Sequence, residues 1–545
     1  MRNNLIITLS ALALAACTGG NNGPTQSSAT ASTPSEASST MATSSSAASD
    51  SSSVPASSSA MSGATSSQSD EQLSAACHDL LTNSETNWRE SSLTSDQEIV
   101  ACLSESLGRP VGFGEKALGG FDPDGSSNLI VIQKGTGVMP EQQLLEAISS
   151  DASNWIVFDK RDFNGSNGTR DGIAMYRLHC TDSAVLAALD NATVEECLDH
   201  TLWCENNGVS EDSCTDTFFN QRLNDSDLPI RNEMVMSNTT IDGRGSSATF
   251  LFNGLKIGAD SSGVSTHISQ NVIVTNLYFT GAGHTEDHDL DPDMLRMTGE
   301  SHDIWVHQNT FSNTGDSAFD VKVGAYDISI SFNRLINVKR AALHGANNSR
   351  EINAQITTTM HNNLFVTEDN YYASSAFETS RRVPLMRRGQ SHLFNNVFYN
   401  YRKDILSVRL GGRILFEDNM VINNKQAAEN NRDDMDYYVE SLLRDFREGG
   451  LEIRGSTVWF GNEHCLPDTD GETGDLTASH GSTPDMPANY NARSQLAISA
   501  NRLPVGTDLA QYVIATAGKD MATPWVSQDQ LPLATVLAQP WASCQ

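Results

Sequence analysis

Between positions 291 and 389 the chain alternates apolar and polar residues over short runs. In YDISISF the apolar positions Ile328, Ile330 and Phe332 fall two apart, the period of a strand with one buried face. Each run ends alike, with an asparagine shortly before a bulky apolar residue: Asn276 before Leu277, Asn309 before Phe311, Asn333 before Leu335, Asn363 before Phe365 and Asn396 before Phe398. The intervals, roughly 23 to 33 residues, are too long for hairpins and suit one coil of a solenoid. The pattern predicts an all-β chain wound as a parallel β-helix. Valine, isoleucine, leucine and phenylalanine would fill its bore, and asparagines at one bend would stack as a hydrogen-bonded ladder. A β-sandwich would need turn signals every 8 to 12 residues or so, and these coils are longer.

Other stretches read differently. Two short helical patterns within 71–105 predict a small cap, spanning 71–110, over the open end of the solenoid. The body, 111–425, is expected to open near GFGEKALGG (112–120), with a strand at 128–133, a helix at 140–149 and a strand at 155–159. A cysteine-rich insertion of low apolar content is expected at about 185–232, and the repeating coils after SNTTIDGRG (237–245). Beyond them, residues 434–448 carry the spacing of an amphipathic helix. The remainder of 426–545 is expected to be an irregular tail packed along the outside of the coils.

The ends change the picture of where the protein works. Residues 1–16 hold Arg2 and an apolar run too short to span a bilayer, as in a secretory signal. The run ends in Leu14-Ala15-Ala16-Cys17, which resembles a bacterial lipobox, so Cys17 is expected to carry a lipid anchor in the outer membrane or at the cell surface. Residues 18–70 are mainly serine, alanine and threonine, a composition that cannot offset its ordering entropy and predicts a flexible tether. Of nine cysteines, setting Cys17 aside leaves an even number in an exported chain, which favours disulfides over metal or thiol chemistry. Cys77 with Cys102 and Cys465 with Cys544 would fasten the two ends, and the pairing of Cys180, Cys197, Cys204 and Cys214 is open.

Net charge is −32 over 545 residues. That argues against nucleic acid or an anionic membrane surface as partner. It would argue against an acidic polysaccharide too, were Lys339, Arg340, Arg381, Arg382, Arg387 and Arg388 not bunched. The candidate chemistry lies beside them. Asp291 and Asp293 form a DxD pair, and Asp316 and Asp320 bring a second pair from the next coil. Hard oxygen donors without nearby histidine or cysteine suit Ca²⁺ or Mg²⁺, Ca²⁺ tolerating the looser geometry. In so acidic a chain a DxD is by itself more often a solvated surface feature. Cations from two neighbouring coils, however, repel one another unless an anion lies between them.

The runs WVHQNTF, DSAFDVKVG, YDISISFNRLINVKRAALHG, RVPLMRRG and SHLFNNVFYN, with GFGEKALGG and SNTTIDGRG upstream, resemble polysaccharide lyase family 1, the pectate lyases, over roughly residues 110–425. The resemblance implies a right-handed parallel β-helix, a few peripheral helices, and Ca²⁺-assisted β-elimination on polygalacturonate by a monomer. It puts Asp291, Asp293 and Asp320 on the family's calcium ligands, and Asp316 where an acidic ligand, often glutamate, stands. Arg382, in R-x-P-x-x-R, falls on the catalytic arginine and Arg387 on the arginine that grips substrate carboxylate. Arg340, with Lys339 beside it, takes the place of a substrate-binding lysine; the exchange keeps charge but alters donor geometry. His307 stands where the family commonly has aspartate, and is given no catalytic role.

Three other readings stay open at this stage: a pectin lyase acting without calcium on methyl-esterified polymer, a non-catalytic surface β-helix that binds acidic polysaccharide, and a hydrolase on the same fold. The last needs paired carboxylic acids about the bond and no cluster of arginines.

Overall fold

The computed structural model describes residues 73–165, 171–285, 288–368, 381–424 and 435–524. Cys17, the Ser-rich stretch and Cys544 lie outside them. The chain winds as a parallel β-helix in which each coil contributes strands to the same faces. On the longest-stranded face, Gln270–Thr275, His302–His307, Tyr326–Ser331, Thr357–His361, Gln390–Phe394 and Gly412–Glu417 stack parallel, with Val274, Val306, Ile330, Met360, Leu393 and Phe416 in one row. A second face aligns Phe250, Phe279, Phe311, Leu335, Phe365, Phe398 and Val421. Rings of Phe279 and Phe311 stack at 4.9 Å, and those of Phe365 and Phe398 at 4.7 Å. All of these residues are buried. Each such side chain contributes roughly 1.5–3 kcal/mol by leaving water, and strand alternation is what points every second one into the bore.

The third face is an eight-stranded parallel sheet of very short strands, Glu233–Val235, Leu255–Ile257, Leu295–Met297, Phe319–Val321, Ala342–His344, Leu385–Arg387, Ser407–Arg409 and Asp445–Phe446. Its inward rows include Met297, Val321, His344, Met386 and Val408. Its outward positions face the candidate site.

The asparagine ladder forms at the bend between the first two faces. Nδ2 of Asn309 donates to Oδ1 of Asn333 (3.1 Å), Asn333 to Asn363 (3.0 Å), Asn363 to Asn396 (2.9 Å) and Asn396 to Asn419 (2.9 Å). The Oδ1 of each of Asn333, Asn363, Asn396 and Asn419 also accepts the backbone amide of the preceding asparagine in the row, so buried polar groups satisfy one another. Asn276 is not a member. It occupies the preceding bend residue with φ +53°, and Leu277 takes the ladder place, donating its amide to Asn309. In the other direction the row runs on to Ser456, which accepts from the Asn419 amide.

Several boundaries differ from the expectation. GFGEKALGG is a strap across the outside of the long-stranded face rather than a first coil: Phe113 donates to Thr359, Gly114 to Ser329, Leu118 and Gly119 to Asn271, and Gly120 to Thr240. A Cβ at Gly119, where φ is +58°, would lie 1.9 Å from Thr240 Oγ1. Coils do not stop near 425, since Gly449–Phe460 pairs with both Gly412–Glu417 and Met420–Asn423. The helix at 434–448 is shorter, Met435–Leu442, because Asp445–Phe446 joins the third sheet as its terminal strand. The tail is ordered into the strand Thr473–His480, antiparallel to the last coil, and the helices Ala492–Asn501 and Thr507–Thr516. Leu509, Tyr512, Val513 and Ile514 bury against Leu364, Val397 and Met420 on the second face.

Cys77–Cys102 joins the helices Ala75–Thr82 and Asp96–Leu107 of the cap. Within the insertion the pairs are Cys180–Cys197 and Cys204–Cys214. Cys465 is also disulfide-bonded; its expected partner, Cys544, is outside the described residues. The insertion opens at Met175–His179 and is not low in apolar content where it counts, since Tyr176, Trp203, Phe218 and Phe219 form a core of their own.

Candidate active site

Short strands on the third face end in bends, and the bends carry the acids. Asp291 (φ +48°) and Asp293 occupy the turn before Leu295–Met297, closed by Asp291 N to His288 O (3.0 Å) and Asp293 N to Asp291 O (2.9 Å). One coil on, the Ser317 amide donates to Asp293 Oδ1 (3.1 Å), and Asp316 is held by its amide to Pro292 O (3.4 Å). Carboxylate oxygens of Asp291, Asp293 and Asp316 therefore lie within 4.8 Å of one another.

Asp320 is placed otherwise. It is in register with Arg296 on the adjacent strand, 2% exposed, and bound by Lys322 Nζ at 2.6 Å. Its Oδ1 is buried without a hydrogen-bond partner. The four expected ligands are thus three gathered acids and a fourth that adjoins them through two cations. Arg296 donates to Asp293 (Nη2 2.7 Å, Nε 3.0 Å) and to Asp291, and stands 3.6 Å from Asp320. Lys322 lies 3.6 Å from Asp291. Neither cation was singled out from the sequence. The signal was there in the alternation of LRM and FDVK, which turns Arg296, Asp320 and Lys322 outward from neighbouring strands.

The electrostatics follow. Burial, then Asp320, push Asp293 well above the ordinary carboxylate range. Burial and the neighbouring Asp291 raise Asp316 to about 6. Burial would raise Asp291 as well, but Arg296 and Lys322 outweigh it and hold Asp291 below its usual value. Burial also opposes charge on Arg296, yet Asp293, Asp291 and Asp320 keep it ionised. So many carboxylates cannot all stay charged here without further positive charge. The all-oxygen donor set of Asp291, Asp293 and Asp316 fits a hard divalent cation such as Ca²⁺, and the unpartnered buried oxygen belongs to the adjoining Asp320.

The arginines flank the acids. Arg340 reaches Asp316 at 3.6 Å and pairs by its backbone with Arg381. Arg382, at φ +62°, precedes the cis Val383–Pro384 bond, and its carbonyl accepts from Ala342 N (2.8 Å). Burial, then the charges of Arg340 and Arg381, lower Arg382 to about 10, and the field of Asp316 opposes them. Arg387 donates to Asn348 Oδ1 (2.9 Å) and Gly345 O (3.0 Å), beside Arg409 in register. Lys339, the residue before Arg340, has 4% of its surface exposed. His307 is remote from this chemistry, buried between Trp305 and Phe332 with Nδ1 against Ser331 (3.1 Å).

Residues 224–440 match the family model described as pectate lyase. Pectate lyase B of Dickeya chrysanthemi is 26% identical over 291 residues, covering 49% of this chain and 72% of its own. Pectate lyase 1 of Pectobacterium carotovorum is 24% identical, over 45% of this chain and 64% of its own. A pectate trisaccharide-lyase of Bacillus licheniformis is 28% identical, over 35% of this chain and half its own length. Among solved structures, that of jun a 1, the major allergen from cedar pollen, aligns at a TM-score of 0.45 and 15% identity over 81% of this chain and 98% of its own. With the family-model match over 224–440 and these curated relatives beside the acid and arginine clusters, the coiled body of this chain is similar to the pectate lyases, a family of polysaccharide lyases.

Proposed function

We propose that the protein cleaves polygalacturonate, de-esterified pectin, by calcium-assisted β-elimination, with Arg382 as the base. The observation that carries this is the juxtaposition of three gathered carboxylates with an arginine whose proton is loosened by burial and by neighbouring guanidiniums.

Asp291, Asp293 and Asp316, with Asp320 adjoining, would hold Ca²⁺. The ion supplies, when bound, neutralisation of the substrate's carboxylate charge, without which the hydrogen on C5 is a very poor acid. Arg340 and Arg387 grip the same carboxylate and stabilise the enolate-like charge that develops on it. Arg382 removes the C5 proton. The C5–H electron pair forms the C4–C5 double bond, the C4–O bond breaks, and the leaving oxygen takes a proton from solvent, to which Arg382 returns the one it removed, so no water is consumed. A guanidinium is ordinarily a poor base, and the lowering of Arg382 to about 10 makes the role accessible at alkaline pH. Lipid attachment at Cys17 and the stretch from 18 to 70 would hold the enzyme at a bacterial surface.

One observation favours the calcium-free pectin lyase instead: Arg296 and Lys322 already neutralise part of the acid cluster. Incubation with polygalacturonate and with highly esterified pectin, each with calcium or with chelator, separates the two by ultraviolet absorbance of the unsaturated product. Calcium-dependent product from polygalacturonate is the expected result. Product from esterified pectin in chelator would establish the rival, a saturated product would revive hydrolysis, and binding without product would leave the non-catalytic reading.

A further inference from the structure

The cysteine-rich insertion packs on the segment that delivers the first two acids, and nothing in the proposed chemistry uses it. Phe219 stacks on His288 at 5.7 Å and on Phe252 at 5.0 Å. Leu290 and Ala282 pack against the insertion's own core. Polar contacts cross the same seam. Asn220 Nδ2 donates to the carbonyls of Ala282 (3.1 Å) and Gly283 (3.3 Å). Asn224 Oδ1 accepts the amide of Asp289 (2.6 Å), and Asn232 Nδ2 donates to the carbonyl of Asp293 (2.8 Å). Asn232 is itself fixed by Asn253 (3.0 Å).

We propose that this insertion is a positioning brace for the cation site. Asn220 and Asn224 pin the backbone ahead of Asp291, and Asn232 pins it at Asp293, so the insertion sets the site's affinity without touching the ion. The physical reason lies in the turn itself. Asp291 sits at positive φ in a bend held by two short-range backbone bonds, and an unbraced bend of this kind would sample many carboxylate orientations. Two disulfides closing spans of 17 and 10 residues keep the brace compact where its helices, five to seven residues long, would not stand alone. The asparagines act as outer partners of the ligand-bearing bend.

The inference rests on the reading of the aspartates as calcium ligands, and its test is read apart from lyase activity. Calcium isotherms of the full chain are compared for wild type, Asn224→Ala and Asn224→Asp, the last retaining an oxygen for the Asp289 amide. The alanine variant is expected to bind about tenfold more weakly, the low end for loss of an outer partner, with aspartate restoring affinity. At saturating calcium the alanine variant should keep wild-type kcat, and its thermal midpoint in chelator should match wild type. Hydrogen exchange at the Asp289 and Asp291 amides, measured in chelator, should quicken in the alanine variant and recover in the aspartate one. Unchanged calcium affinity with unchanged exchange overturns the brace, as does a fall in thermal midpoint without a change in affinity. A wild type that binds calcium but makes no product fails the proposed activity alone. If wild type binds no calcium, unchanged exchange overturns the brace independently.

Discussion

Arg296 is the residue whose removal tests the site most directly. It donates to Asp291 and Asp293 and approaches Asp320, with its side chain 18% exposed. Any cation held by Asp291, Asp293 and Asp316 would lie within a few ångströms of that guanidinium. Two unit charges about 4 Å apart repel by about 1 kcal/mol in water and about 4 kcal/mol at an effective dielectric near 20. For a divalent ion the repulsion runs from about 2 to about 8 kcal/mol. Asp291 is 47% exposed while Asp293 is buried, so the watery figure is taken as the lower bound. Arg296→Gln is therefore expected to tighten calcium by at least about 2 kcal/mol, or roughly thirtyfold. The same change should weaken the calcium-free fold by about 3 kcal/mol, because breaking a buried ion pair leaves its partners uncompensated. Calorimetric titration with calcium and urea unfolding in chelator read the two effects separately. Weaker or unaltered calcium binding in Arg296→Gln would refute the reasoning, and would mean that the guanidinium orients the acids rather than competing for them.

Other outcomes follow from the same geometry. Arg382→Ala should cost about 10² to 10⁴ in kcat with little change in calcium affinity, and wild-type kcat should climb with pH toward about 10; near-wild-type turnover in the variant would require another base. Asp316 must be ionised to ligate, so calcium affinity should weaken as pH falls through about 6, read by titration at several pH values. Without calcium the sign reverses. Asp316 holds its proton more tightly folded than at the unperturbed 3.8, so it stabilises the fold at low pH and that contribution is lost as pH rises through about 6, visible as a falling thermal midpoint in chelator. Asn363→Ala removes donors to Ile330 O and Asn396 Oδ1 and the acceptor for Asn333, and should destabilise by about 3 to 5 kcal/mol in urea unfolding, since buried partners are left unpaired.

Period-two alternation and asparagines at coil-length intervals determined the architecture by themselves, because every coil repeats one local problem: an inward row to bury and a bend to satisfy. The aspartates and arginines stood out by their bunching and by the family resemblance rather than by alternation, because most of them lie in the bends beside the very short strands, where several are buried. Tertiary structure decided what depends on neighbours across coils. Asn276 left the ladder because register, not sequence order, chooses the stacked position. Phe446 left the predicted helix because the sheet beside Val408 had an open edge to cover. The tail became helical because the outer face around Leu364 and Met420 offered apolar surface to bury. Arg296 and Lys322 entered the acid cluster because register aligns strands that are distant in sequence. A pattern along the chain states which way a side chain points; only the stacking of coils states what it meets.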